Sequence, residues 1–350
     1  MYKNQRNLMS EKVSSRKQQV RAEDVARHAG VSRVSVSRTF TPGASVSAAT
    51  RAKVLKSAEI LGYRVNRLAS SLNRSESGIV ALIAAEIDTP HRSAMIAELS
   101  DKLQAAGKVT MLINTSGYEE RVKDALLQAI SFRTEAAIIL SGAPDPSLAD
   151  TCFSNGMKLV LINREEDFPG SLQIGPDNRA AGKTALKALL RAGCKRIALA
   201  NSANATWSIL ERQKGFVDAA DEVGVEVLSE VGGLTSYQAG LELGTALLDR
   251  EDRPDGIFCT TDLIACGVID AARQRFGLRT PDDLSVIGFD DIAQAEWEGY
   301  DLTTFAQPTD QIIEKCLEWC TTEQPETETV KLPAKFVWRN SVQKARIPLK

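Results

Sequence analysis

Within the 350-residue chain, Gly182-Lys183-Thr184 in "GPDNRAAGKTALKALL" is the one spacing that suggests phosphate chemistry. A phosphate-cradling loop needs another glycine five positions before Gly182, so that successive backbone amides wrap the phosphates. Position 177 is Asp, which repels a triphosphate, and Gly175 comes two positions too early. Ala181, Ala185, Leu186 and Leu189 also carry an apolar helical face straight through the motif. No GxGxxG follows an apolar run and no GxSxG occurs. The six cysteines (152, 194, 259, 266, 316, 320) include no CxxC pair, and the histidines are only His28 and His91. That pattern fits neither a zinc site nor a disulfide framework, and reads as reduced core thiols of a cytoplasmic protein. No catalytic residue, metal ligand or cofactor is assigned, so an α/β kinase or related enzyme is disfavoured.

The other chemistry-bearing group is "EDVARHAGVSRVSVSRTF", Glu23 to Phe40. Arg33, Ser35, Ser37 and Arg38 can all donate hydrogen bonds to base edges or phosphates. Positioning them requires two short helices. Val25, Ala26 and Ala29 form one face of a helix over 22–29, and Gly30 permits the left-handed turn that ends it. Ser32 caps a second helix from Arg33 to about Phe40, with Val31 and Val36 filling the angle between the two. A third helix starts after Ser47, carries Val54, Ala58 and Leu61 on one face, and ends at Gly62. This is a helix-turn-helix, whose second helix suits a major groove. Charge supports it: residues 1–74 hold 15 basic and 4 acidic side chains, +11, leaving −13 on the remainder of a chain whose net charge is −2. A basic head on an acidic body means that only the head meets a polyanion.

After Gly62 comes "YRVNRLASSLNRSES", either a flexible linker or a short helix presenting Leu68 and Leu72 as a wedge for a minor-groove base step. Taken together, "AEDVARHAGVSRVSVSRTF…VSAATRAKVLKSAEILGYRVNRLASSL" resembles the DNA-binding head and hinge of the LacI/GalR family of bacterial repressors, without gaps. The resemblance implies that Arg33 and Val34 read bases. It implies that Ser32, Ser35, Ser37, Arg38, Thr41 and Ser45 contact bases or phosphates. Asn66, Arg67, Ala69 and Leu72 become hinge contacts, Leu72 being the inserted leucine. One departure is Val65, where the family usually has proline. A proline there would pre-set helical geometry, so this hinge helix is expected to form less readily off DNA.

From Gly78 onward apolar runs alternate with amphipathic segments. Strands are expected at "IVALIAA", "VTMLIN", "AAIILS", "KLVLIN", "RIALAN", "GIFCT" and "LSVIGF". Helices are expected over 95–106, 122–132, 178–191, 210–223, 237–248 and 263–276. Such alternation predicts parallel sheets covered on both faces, in two doubly wound lobes with a ligand crevice at the strand ends. "GPDNRAAG", "GCKRIALA", "ERQKGFVDAADEVGV" and "GIFCTTDLIACGVIDAARQRFGLRTPDDLSVIGFDD" extend the family resemblance more loosely. They imply a periplasmic-binding-protein-like effector domain. Arg212 then stands where the family aims a guanidinium at its ligand. Thr206, Ser208, Asn163, Thr261, Asp262 and Asp290 become crevice residues, with Asp291 assigned to the scaffold. Trp207 stacks on a ligand or points elsewhere. In "EIDTPHRSAMI" many relatives carry an aromatic pair where this chain has His91-Arg92. Those two are either charges on an exposed loop, or Arg92 faces Arg212 across a cleft and the two hold an anionic ligand.

The fold class is thus a small all-α helix-turn-helix head plus an α/β body of two doubly wound parallel-sheet lobes. Residues 1–19 read as a disordered leader, 20–64 as the DNA-binding domain, 65–77 as the hinge and 78–350 as the effector domain. Its N-lobe covers about 78–175 and 306–333, its C-lobe about 176–305 and 334–350. The sequence beyond Pro333 reads as a final strand and a short tail without heptads. The expected protein is a cytoplasmic homodimeric transcription regulator, without a membrane segment. It binds a pseudo-palindromic DNA operator under control of a small-molecule effector, a sugar, sugar acid or sugar phosphate. The alternative, a solute-binding protein of a sugar transporter, conflicts with the helix-turn-helix standing where an export signal belongs.

Overall fold

The computed structural model describes residues 20–41, 43–65, 77–115, 119–164, 168–323 and 326–343. The leader 1–19 and the hinge residues Asn66, Arg67, Ala69 and Leu72 lie outside them. The chain divides into two compact units, Met1–Ser77 and Gly78–Lys350.

In the first unit, helices α1 (Ala22–Ala29), α2 (Arg33–Thr39) and α3 (Ala48–Leu61) enclose Val25, Ala26, Val36, Val54 and Ala58. Local chemistry sets each boundary. Gly30 adopts φ 65° at the end of α1, and the Val31 amide turns back to the Ala26 carbonyl. The Ser32 and Ser47 hydroxyls accept from the Ser35 and Thr50 amides, capping α2 and α3. Arg51 then reaches from α3 to the Thr39 carbonyl at 2.8 Å, satisfying the C-terminal end of α2.

The second unit contains two parallel sheets. The first has the order β11-β5-β4-β3-β1-β2, formed by β1 (Ile79–Ala84), β2 (Val109–Asn114), β3 (Ala136–Ile139), β4 (Lys158–Ile162), β5 (Ser171–Pro176) and β11 (Glu328–Leu332). One face is covered by α4 (Pro90–Ala105) and α11 (Thr309–Thr321), the other by α5 (Glu119–Ser131) and α6 (Pro146–Ser154). The second has the order β7-β6-β8-β9, from β6 (Ile197–Asn201), β7 (Val227–Val231), β8 (Gly256–Cys259) and β9 (Ser285–Ile287). Helices α7 (Asn178–Ala192) and α8 (Trp207–Val223) cover one face, α9 (Tyr237–Leu248) and α10 (Asp262–Phe276) the other. A short antiparallel pair, β10 (Thr304–Ala306) with β12 (Lys335–Val337), lies between these lobes in the chain's path. Continuous apolar runs became the inner strands because both their faces are buried.

Gly182, from the sequence that imitates a phosphate loop, sits inside α7. A Cβ there would collide with the Arg212 carbonyl oxygen of α8, and one on Gly215 of α8 would collide with the Arg179 carbonyl. Both glycines serve close helix crossing. Five of the cysteines are buried and Cys194 is half-buried, all as free thiols. No helix among the described residues is long and apolar enough to cross a membrane.

Candidate functional site

On the first unit, α2 presents a polar face with one apolar tip. Ser32, Arg33, Ser37 and Arg38 are exposed, and Val34 is 58% exposed. Ser35 is half-buried, its hydroxyl 3.0 Å from that of Ser32. Thr41 donates to the Ser37 carbonyl, and Ser45 stands exposed in the loop before α3. More than half of Val34 faces solvent, and it takes no part in the unit's buried core.

On the second unit, a cleft of about 580 Å³, including its solvent-open mouth, lies at the C-terminal ends of the strands. That is where loops of an open α/β sheet converge. His91, Arg92 and Asn163 of the first lobe share it with Thr206, Ser208, Arg212, Thr261 and Asp290 of the second. Arg212 is only 3% exposed. Its Nε donates to Asn178 Oδ1 at 2.8 Å and its Nη1 to the Thr260 carbonyl at 2.7 Å. Asp290 Oδ1 lies 4.0 Å from that guanidinium. Burial lowers the Arg212 pKa to about 10, against the pull of Asp290 and Asp262. It therefore remains a cation at neutral pH.

His91 and Arg92 do not sit on an exposed loop. Pro90 opens α4 and places both in its first turn, five residues ahead of the Met95 start expected from periodicity. Arg92 Nη1 donates to the Leu140 carbonyl at 2.6 Å. Burial lowers its pKa, while Glu86 and Asp290 pull the other way. Burial also lowers the His91 pKa, opposed by Asp290 and reinforced by both arginines, so the imidazole is neutral at pH 7.

Among the described residues, four buried polar atoms of the cleft have no protein partner: His91 Nε2, Asn163 Oδ1, Thr261 Oγ1 and Gln307 Oε1. Such atoms are costly unless something fills the cleft and pairs with them. Backbone conformation marks the same place. Glu86 (φ 51°), Asn163 (φ 61°) and Asp290 (φ 127°) are non-glycine residues with positive φ, and all three line the cleft.

Asp262 is a correction. It is fully buried and does not line the cleft: Thr304 Oγ1 donates to its Oδ1 at 2.5 Å and the Ile292 amide to its Oδ2 at 3.0 Å. It ties the start of α10 to the loop after β9. Burial, then the neighbouring Asp290, raises its pKa to about 7. Trp207 turns away from the cleft into a smaller recess beside Gly175 and Pro176. Asp291 pairs with Arg339 at 2.7 Å, a scaffold role.

The sequence reading missed Glu86, Thr235 and Gln307, which also line the cleft. Glu86 comes two residues after the end of β1, and its carboxylate accepts from the Asn204 amide of the other lobe. Gln307 Nε2 donates to Asp290 Oδ1 at 2.7 Å. Position after a strand's C-terminal end was the available signal for Glu86 and Gln307.

Comparison with known proteins finds matches to both units. Residues 22–66 match bacterial regulatory proteins of the lacI family, and residues 186–342 match the periplasmic binding protein-like domain. The HTH-type transcriptional regulator DegA of Bacillus subtilis is 31% identical over 291 residues, spanning 81% of this chain and 86% of DegA. The HTH-type transcriptional repressor PurR of Photobacterium profundum is 27% identical over 328 residues, spanning 92% and 98%. Among solved structures, the lac repressor dimer bound to operator and the anti-inducer ONPF matches with a TM-score of 0.81 at 22% identity, over 93% and 99% of the two chains. The complex of the regulator CelR with cellobiose matches with a TM-score of 0.64 at 25% identity, over 92% and 99%.

Proposed function

We propose, for a chain that belongs to the lacI family of bacterial regulatory proteins, a transcriptional repressor whose operator affinity is set by a polyhydroxylated effector, a sugar or sugar acid. The carrying observation is the set of unpaired atoms in the cleft. Asn163 Oδ1, Gln307 Oε1 and Thr261 Oγ1 are hydrogen-bond acceptors without donors among the described residues, and the hydroxyls of a sugar supply them. No Phe, Tyr or Trp is among the described residues lining the cleft, so a planar heterocycle finds none of the large rings there, only the His91 imidazole and the two guanidiniums.

Charge narrows the class further. The cleft holds two guanidiniums, Arg92 and Arg212, and two carboxylates, Glu86 and Asp290. Asp290 accompanies Arg212, whereas Arg92 has no carboxylate within 4.0 Å among the described residues. A single ligand carboxylate on Arg92 suits this balance, and a doubly charged phosphate suits it poorly. The CelR relative, which holds cellobiose, is consistent with a carbohydrate.

The protein acts as a homodimer whose two heads bind the halves of a pseudo-palindrome. Effector closure of the lobes changes operator affinity because the ligand binds the two states unequally. The test is a thermal-shift screen of the wild type and Arg92→Gln against glucose, gluconate, glucuronate, glucose 6-phosphate and adenine. Sugar acids should raise the melting temperature of the wild type more than that of the variant. Stabilisation by the purine base, and not by any carbohydrate, would overturn the reading.

A further inference from the structure

The head carries few acids, and one of them stands where a DNA-binding surface should repel it. Of the four in residues 1–74, Asp24 caps α1, accepting from the Arg21 amide at 2.9 Å and lying 3.5 Å from Arg27. Glu23, its neighbour, makes no cap. Its Oε1 lies 3.4 Å from Nη1 of Arg33, the first residue of α2, and both side chains are exposed. An exposed pair of this kind contributes little to stability. Its significance is its place: the carboxylate lies beside the guanidinium of the first residue of α2, the end that meets base edges in a helix-turn-helix.

A carboxylate at that place has one favourable partner on DNA. It accepts only, so it is repelled by phosphates and by the guanine N7 and O6 acceptors. It is matched by an exocyclic amine, of which cytosine N4 is the one that Asp and Glu take. We infer that Glu23 is a specificity-determining residue that accepts from a cytosine amine in each operator half-site, beside the guanine read by Arg33. This rests on the reading of α2 as the base-reading helix. Arg33 then neutralises the acid at close range while donating to guanine, and Val34, the next residue of α2, is 58% exposed and free for a thymine methyl.

The experiment is selection of binding sites from randomised duplexes by the full chain, with wild type, Glu23→Ala, Glu23→Gln and Arg33→Ala compared, and circular dichroism to confirm that each folds. The wild type should select cytosine at one position beside the guanine that Arg33→Ala no longer selects. Glu23→Ala should flatten the cytosine preference by roughly tenfold. Glu23→Gln should move it to adenine, because a carboxamide pairs with N6 and N7 of that base. If both Glu23 variants select the wild-type sequence at every position while binding all duplexes more tightly, Glu23 is only a solvated acid and the inference fails. If they weaken the guanine preference alone, Glu23 only positions Arg33, and it fails too. Arg33→Ala selecting the wild-type sequence would instead refute the reading of α2.

Discussion

The guanidinium carbon of Arg212 lies 3.6 Å from the centroid of the Phe289 ring. Phe289 stacks on Phe305 at 5.6 Å, and Phe305 packs against Phe336 at 4.8 Å. The central cation of the cleft therefore rests on aromatic rings that reach into β10 and β12. Arg212→Lys keeps the charge but loses the planar fork that bonds Asn178 and Thr260 together. The variant should lose about 2 kcal/mol of stability in urea denaturation, and effector should no longer raise its melting temperature.

Asp262 makes a signed prediction about pH. Its folded pKa is raised to about 7 from 3.8, so between those values the folded state keeps a proton that the unfolded state releases. Its contribution to stability is therefore full below pH 3.8 and declines as pH rises to about 7. Denaturation curves between pH 4.5 and 7.5 should show that Asp262→Asn removes this decline, as a difference in slope from the wild type, whatever the variant's overall stability.

Gly182 offers a test of packing against phosphate chemistry. Alanine at Gly182 or Gly215 forces apart the backbones of α7 and α8, which should cost about 1–3 kcal/mol in denaturation. Neither substitution should create or abolish binding of a nucleoside triphosphate in calorimetry. Because Arg212 lies on α8, Gly215→Ala should also reduce the effector-induced thermal shift.

On the head, Val34 and Arg38 should separate by the kind of damage they do. Both are exposed on α2, but Val34 is apolar and Arg38 is cationic. Arg38→Ala should weaken binding to operator and random duplex alike, and lower the slope of log affinity against log salt by about 1. Val34→Ala should leave that slope unchanged and alter base preference in a competition assay.

The readable parts of this molecule were those whose chemistry is local. Gly30, Gly62, Ser32 and Ser47 act within a few residues, so the head's helix boundaries follow from them. Inner strands β1, β3, β4, β6 and β8 announce themselves as apolar runs, whereas inner β5, "SLQIGP", does not and was not expected. The strands that escaped notice include β7, "VLSEV", and β11, "ETVKL", each at a sheet edge with alternate residues exposed. Asp262 misled because a carboxylate after a strand looks the same whether it turns to the cleft or to the scaffold. Its direction depends on Thr304, 42 residues away. Glu86 and Gln307 also follow strand ends, but that position alone does not separate cleft residues from scaffold ones such as Asp262.

The chain passes between its two large sheets at Asp177, at Gln307–Pro308 and at Pro333–Ala334. These spans lie side by side, because Pro176 pairs with Leu332 and Ala306 with Lys335. Three short tethers in a row act as a door hinge: they permit swing about one axis and resist sliding or twisting. A molecule seated between Arg92 and Arg212 then has a single mechanical coordinate to change.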